Sequence, residues 1–226
     1  MINIENLKKS YNQFQLFIHK LKIEKGDRVA LIGNNGAGKT TMLRLIVDII
    51  ERTSGTLTID NQDVSSTTQW KKILGSYLDE GYLIDFLKPQ EYINFIYNYS
   101  NPKSQIPLEK EEILNNFFPY NSENKLIREL SKGNQLKVGI ISALISNPQI
   151  LILDEPFSNL DPTSRFQLIE LINNSNEIDI TLISSHDINE VIQVSNKYIL
   201  IRDGEIIKNG SISENTSDKL KNLFKV

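Results

Sequence analysis

An α/β fold is predicted by three features of this 226-residue chain. Strand-like and helix-like runs alternate at both ends, a mostly helical stretch lies between them, and a glycine-rich loop joins a buried strand to a helix. Strands are expected first at Ile2 to Leu7, Phe14 to Ile23 and Arg28 to Ile32, where β-branched and aromatic residues concentrate. Gly26-Asp27 forms the tight turn into the third strand. A helix follows from Lys39 to Glu51, with Met42, Leu43, Ile46, Val47 and Ile50 on one apolar face. Thr56 to Asp60 alternates as a strand, and Asn61-Gln62-Asp63 reads as a turn.

From Lys88 to Asn147 the pattern is helical and punctuated by Pro89, Pro102, Pro107 and Pro119. There Tyr92, Phe95, Ile96 and Tyr99 fall at i, i+3, i+4 and i+7, the spacing of a core-facing stripe. Alternation then returns: a buried strand at Ile150 to Leu153, a helix over Pro162 to Asn173, a strand at Ile178 to Ser184 and a helix at Ile188 to Val194. A hairpin at Lys197 to Lys208 turns on Asp203-Gly204. Leu220, Leu223 and Phe224 read as a short amphipathic helix. One domain over residues 1–226 is expected, with a core at 1–81 and 148–226, an antiparallel β region near the N-terminus, and an inserted helical subdomain at 82–147.

Composition excludes several classes. The 25 Lys and Arg residues against 28 Asp and Glu give a net charge of −3, so no basic surface points to nucleic acid or anionic lipid. The absence of cysteine excludes disulfides, iron–sulfur ligation and thiolate zinc sites, and fits a reducing compartment. No run approaches the roughly 18 apolar residues of a membrane span, and Met1-Ile2-Asn3-Ile4-Glu5-Asn6 does not open like a secretion signal. A cytoplasmic protein without direct membrane insertion is expected.

Gly33-Asn34-Asn35-Gly36-Ala37-Gly38-Lys39-Thr40 fits G-x-x-x-x-G-K-[ST] between a predicted strand and a predicted helix. Its glycines let backbone N–H groups curl around phosphates, Lys39 adds a point charge, Thr40 is a Mg²⁺ ligand, and Thr41 extends the nucleotide-binding set. Such a loop needs a carboxylate at the end of a neighbouring strand. Asp154 and Glu155 follow the apolar run Ile150-Leu151-Ile152-Leu153, at the strand end where α/β sheets bind ligands. Asp154 is the candidate for holding Mg²⁺ through water, and Glu155 for polarising the attacking water.

Further motifs sharpen the reading. Leu130-Ser131-Lys132-Gly133-Asn134-Gln135 resembles the signature motif of ABC-type ATPases, Ser158-Asn159-Leu160-Asp161 that family's D-loop, and Ser184-Ser185-His186 its switch histidine. Tyr11 falls where the family stacks an aromatic on adenine. The resemblance spans the chain in the right order. It implies the nucleotide-binding domain of an ABC transporter, with a P-loop NTPase core and the signature in the helical subdomain. ATP and Mg²⁺ would be its cofactors, and a second ATPase subunit, in the simplest case an identical one, its partner. Each ATP would lie between one subunit's P-loop and the other's Ser131 and Gly133. Asp161 would bridge the two sites, or cap the helix that begins at Pro162, or both. His186 would hydrogen-bond the γ-phosphate, whereas His19, in an alternating strand, reads as structural.

Departures from the family pattern are informative. The usual second-position glycine of the signature is Lys132, facing either a partner's γ-phosphate or solvent, and its glutamine is Asn134. No glutamine follows Gly75-Ser76-Tyr77-Leu78; Asp79-Glu80 stand there, as in ATPases that export lantibiotics and bacitracin-like peptides. Asp79, or Glu80 one residue on, is therefore the expected charged Mg²⁺ contact. Gly81-Tyr82-Leu83-Ile84-Asp85-Phe86-Leu87 either lines the groove that receives a membrane subunit's coupling helix or packs the helical subdomain. A separate permease would hold the chain at the inner face of the membrane, and export is the expected direction. The rival readings are a soluble ABC ATPase of translation or DNA repair, an ATP-dependent dimer clamp that hydrolyses poorly, and an unrelated P-loop kinase. The intact Glu155 and His186 weigh against the clamp, and the signature motif against the kinase.

Overall fold

The computed structural model describes residues 1–78, 82–102, 104–121 and 123–213. Two compact units emerge, Met1–Lys71 with Asp179–Val226, and Lys72–Ile178. The segment predicted as helical, 82–147, lies within the second.

In the first unit, β1 (Ile2–Ser10), β2 (Gln15–Ile23), β3 (Arg28–Ile32), β4 (Ser54–Ile59) and β5 (Gln62–Asp63) are joined by β8 (Ile180–Ser185), β9 (Lys197–Arg202) and β10 (Glu205–Ser211). Their order is β5-β4-β1-β2-β10-β9-β3-β8. The N-terminal strands pair antiparallel, β1 with β2 and β4, and β4 with β5. β3 runs parallel to β8 and β9. Strand β3 is buried from Val29 to Ile32, as a strand covered on both faces must be. Its end leads into α1 (Lys39–Ile46), which is shorter than the apolar pattern suggests. Asp48 adopts a left-handed φ of 55° and stops the helix. The β9–β10 turn forms as expected, with Asp203 and Gly204 both at positive φ.

In the second unit, β6 (Leu74–Tyr77) and β7 (Ile150–Leu153) pair in parallel, Tyr77 opposite Leu153. Helix α4 (Lys132–Leu144) packs on both and is buried from Val138 to Leu144. α2 (Pro89–Ser100) packs on α4, and α3 (Leu108–Phe117) on α5 (Pro162–Asn174). The stripe expected on α2 is corrected. Tyr92, Ile93 and Tyr97 are buried, whereas Phe95 and Tyr99 are 52% and 82% exposed. A helix rotated by about one residue satisfies an i, i+1, i+5 face equally well, and α2 buries the flank that holds Ile93. Tyr82 and Phe86, from the apolar loop, are also exposed. No helix among the described residues is long and apolar enough to cross a membrane.

Candidate functional site

The candidates fall on both units. In the first, the loop from Gly33 to Gly38 leaves the end of β3 and enters α1. Asn34, Asn35 and Gly36 form its exposed tip, while Gly33, Ala37, Gly38 and Lys39 are buried. Gly38 stands at the helix N-cap with φ of 110°, a conformation that would strain any residue with a Cβ. No side chain caps α1 and no acid lies in its first turn. Its open N–H groups and positive dipole end are therefore left to an anion. The Lys39 ammonium, only 5% exposed, donates to the Gly33 carbonyl at 2.8 Å and the Asn34 carbonyl at 3.4 Å. It is thereby folded back under the loop. Thr40 and Thr41 follow in the first turn, both half-buried.

His186 lies at the same sheet edge. Ser185, the last residue of β8, pairs with Ile32, immediately before Gly33. His186 is exposed, and the backbone beyond it is fixed by Asp187 N–H donating to Ser185 Oγ at 2.9 Å. Tyr11, 49% exposed in the β1–β2 loop, is held by its N–H donating to the Phe14 carbonyl at 2.7 Å and by Lys9 Nζ 5.2 Å from its ring centroid. Phe14 is a supporting residue that sequence reading treats only as a strand start: a Cβ on Gly38 would lie 3.0 Å from its ring. Gly204 is another, its N–H donating to the Ala37 carbonyl at 2.9 Å. His19 contacts Asn6 through Nδ1 at 2.8 Å and is exposed.

In the second unit, Asp154 and Glu155 end β7. The Asp154 N–H donates to the Tyr77 carbonyl at 2.9 Å, and its side chain is 8% exposed. Glu155 has φ of 48°, an unusual backbone for a non-glycine residue. The turn behind it is tied by Ser158, whose N–H and Oγ both donate to the Glu155 carbonyl, at 3.1 and 2.7 Å. Both acids line a recess of about 240 Å³ with Lys132, Ser158 and Asn159.

Ser131 caps α4, accepting from Asn134 N–H at 3.3 Å, and again no acid occupies the first turn. Gly133 is packed so closely that a Cβ would lie 2.6 Å from the Asn159 carbonyl oxygen. The helix start and the Asn159–Asp161 segment therefore share one recess of about 370 Å³. Asp161 caps α5, accepting from Ser164 N–H at 3.0 Å and Ser164 Oγ at 2.5 Å, and those hydrogen bonds hold its carboxyl below the ordinary aspartate range. The capping alternative for Asp161 is thus the observed one, and it leaves Asp161 exposed. Asp79 and Glu80, and the C-terminal apolar residues Leu220, Leu223 and Phe224, lie outside the described residues.

This combination of a glycine loop under a helix N-terminus, a strand-end acid pair and a second helix start that is capped by a serine and free of acids defines a class of nucleotide-binding α/β protein. The sequence matches the family model described as ABC transporter over residues 17–158. It is 31% identical over 98% of its length to the lantibiotic transport ATP-binding protein SrtF of Streptococcus pyogenes, covering 96% of that protein. It is also 31% identical, over 88% of its length, to the thiamine import ATP-binding protein ThiQ of Escherichia coli O157:H7, covering 87% of it. Across these and similar curated relatives the chain spans between 55% and 96% of their lengths. The dimeric structure of MJ0796, a bacterial ABC transporter cassette, superposes with a TM-score of 0.79 at 25% identity over 94% of this chain and 99% of that one. The chain belongs to the ABC transporter family and is its ATP-binding, ATPase component.

Proposed function

We propose that this chain closes with a second copy of itself around two MgATP molecules and drives a separate export permease from the inner face of the cell membrane. The observation that carries the reading is the recess where the α4 N-terminus meets the Asn159–Asp161 segment. A P-loop alone explains one phosphate-binding helix start. A second one, capped by Ser131 and free of acids, has its use in a partner's γ-phosphate.

In this reading Lys39 and the loop N–H groups hold the β- and γ-phosphates, and Tyr11 stacks on the adenine. Ser131 and Gly133 bind the γ-phosphate in trans, and Asp161 lies between the two sites. Glu155 takes a proton from the attacking water, and His186 orients that water by hydrogen-bonding the γ-phosphate. Thr40, Asp154 and Asp79 are oxygen donors suited to Mg²⁺. When bound, Mg²⁺ neutralises charge on the β- and γ-oxygens. Support for export comes from the acidic pair at 79–80, which resembles that of exporting members of the family.

Glu155→Gln tests the assignment. It keeps the shape of the side chain and removes the base, so turnover should fall by about 10²–10⁴-fold while ATP gathers the protein into dimers on size exclusion. Unimpaired turnover removes Glu155 from the role of base. A variant that stays monomeric with ATP removes the closed dimer.

A further inference from the structure

The amine of Lys110 lies in a setting that the nucleotide chemistry does not use. Lys110 projects from α3 into a cavity of about 380 Å³, bounded by the end of α4 and the end of α5. Leu114, Leu144 and Leu171 give the cavity an apolar wall. The Lys110 Nζ donates to Asn147 Oδ1, a neutral acceptor. Among the described residues lining the cavity, the charged groups that face it are Glu109 on its own helix and Glu177 beyond α5, while the α4 side contributes Leu144, Asn147 and Pro148, none of them charged. Burial lowers its pKa to about 8, against the opposing pull of Glu177. A lysine in such a place is reachable by a small molecule and carries a larger uncharged fraction near neutrality than an ordinary lysine, although it remains mostly protonated there.

We propose that Lys110 is an acylation site, its Nζ accepting a short acyl group from a thioester that enters this cavity. The apolar wall suits the alkyl end of an acyl group. Glu109 and Glu177 at the same cavity select against a donor that carries negative charge beside its carbonyl, such as an acyl phosphate. In the step, the Nζ lone pair adds to the acyl carbon and a C–N bond forms. The C–S bond breaks, the sulfur leaves with the electron pair, and the proton lost by the amine restores the thiol. The product is a neutral amide that can still donate its N–H to Asn147.

The full-length protein is incubated with an uncharged acetyl thioester, and acetylation is followed residue by residue by mass spectrometry. At about pH 7.5 the uncharged fraction of Lys110 exceeds that of an ordinary lysine by roughly two hundredfold. The lower nucleophilicity of a less basic amine, if it follows the slope known for thiols, takes back about tenfold. Lys110 should therefore acetylate about twentyfold faster than the exposed Lys20 and Lys72. Its rate should level off near pH 8. Glu177→Gln, which removes a group that raises the lysine's pKa, should move that inflection to lower pH. Equal rates at Lys110 and Lys20, or a rate still climbing through about pH 9, overturn the proposal. Faster reaction with acetyl phosphate than with the thioester overturns the assigned donor.

Discussion

Gly139→Ala is the substitution that most directly tests how the second unit holds its acids. Gly139 lies in the buried middle of α4, against β6. A Cβ there would stand 2.1 Å from both Cδ2 and Cε2 of Tyr77, whose residue is only 8% exposed. Ordinary contact needs about 3.5 Å or more, so the ring has to move by over an ångström inside a packed interior. That places the clash near the top of the overpacking range, about 3 kcal/mol. Alanine recovers about 1 kcal/mol through helix propensity, leaving a net loss of about 2 kcal/mol. For a chain of this size the melting temperature should drop by roughly 4–8 °C. Thermal unfolding followed by circular dichroism measures it. Adding Tyr77→Leu, which shortens the obstructing ring, should restore more than 1 kcal/mol in a double-mutant cycle. Because the Tyr77 carbonyl receives the Asp154 N–H, kcat should fall with Gly139→Ala as well. A Gly139→Ala protein that melts at or above the wild-type temperature refutes the packing argument, since propensity alone predicts that outcome.

Two other expectations follow from the turn that carries the site. The folded-state pKa of Asp161 is depressed by Ser164, so its contribution to stability is complete above the ordinary aspartate value and is lost as pH falls through the lower folded value. Asp161→Asn should remove that acid-side step from an unfolding-versus-pH curve measured below about pH 4, and an unchanged step refutes the cap. Glu155, at φ of 48°, trades stability for position. Glu155→Gly should be about 1 kcal/mol more stable than Glu155→Gln by urea denaturation while equally inactive, and a less stable glycine variant removes the strain argument.

Fold class, strand positions and the hairpin turn at Asp203-Gly204 are legible in the sequence because each is set by local pattern. Arg28 to Ile32 and Ile150 to Leu153 are strands by their apolar runs and are observed with those bounds. What pattern leaves open is a choice between equivalent local answers. Val47 and Ile50 continue the periodicity of α1, yet the chain turns at Asp48, because a left-handed residue there feeds the segment that leads to β4. On α2, Ile93 and Phe95 are comparably apolar. The packing of α2 on α4 decides that Ile93 is buried and Phe95 exposed, and no window of sequence contains α4's surface.

The same division runs through the candidate site. Lys39, Asp154, Glu155 and His186 announce themselves because chemistry dictates their identity and neighbouring residues dictate their place. Phe14, Asn159 and Tyr77 act through close approach, and close approach is a property of two distant segments at once. The Asn159 carbonyl limits position 133 to glycine, but any residue supplies a carbonyl, so the constraint is written at 133 and is invisible at 159. Glycines inside otherwise apolar helices are the trace such constraints leave. Gly133 and Gly139 both interrupt α4, each at a point where something passes too close for a side chain. The two contacts fix α4 at both levels, its N-terminus against the Asn159–Asp161 segment and its middle against the strand that holds the Asp154 backbone. A shift of α4 therefore moves its serine-capped N-terminus and the strand-end acids together, which is the mechanical property the proposed ATPase needs if closure on a partner's phosphate is to be felt at its own acids.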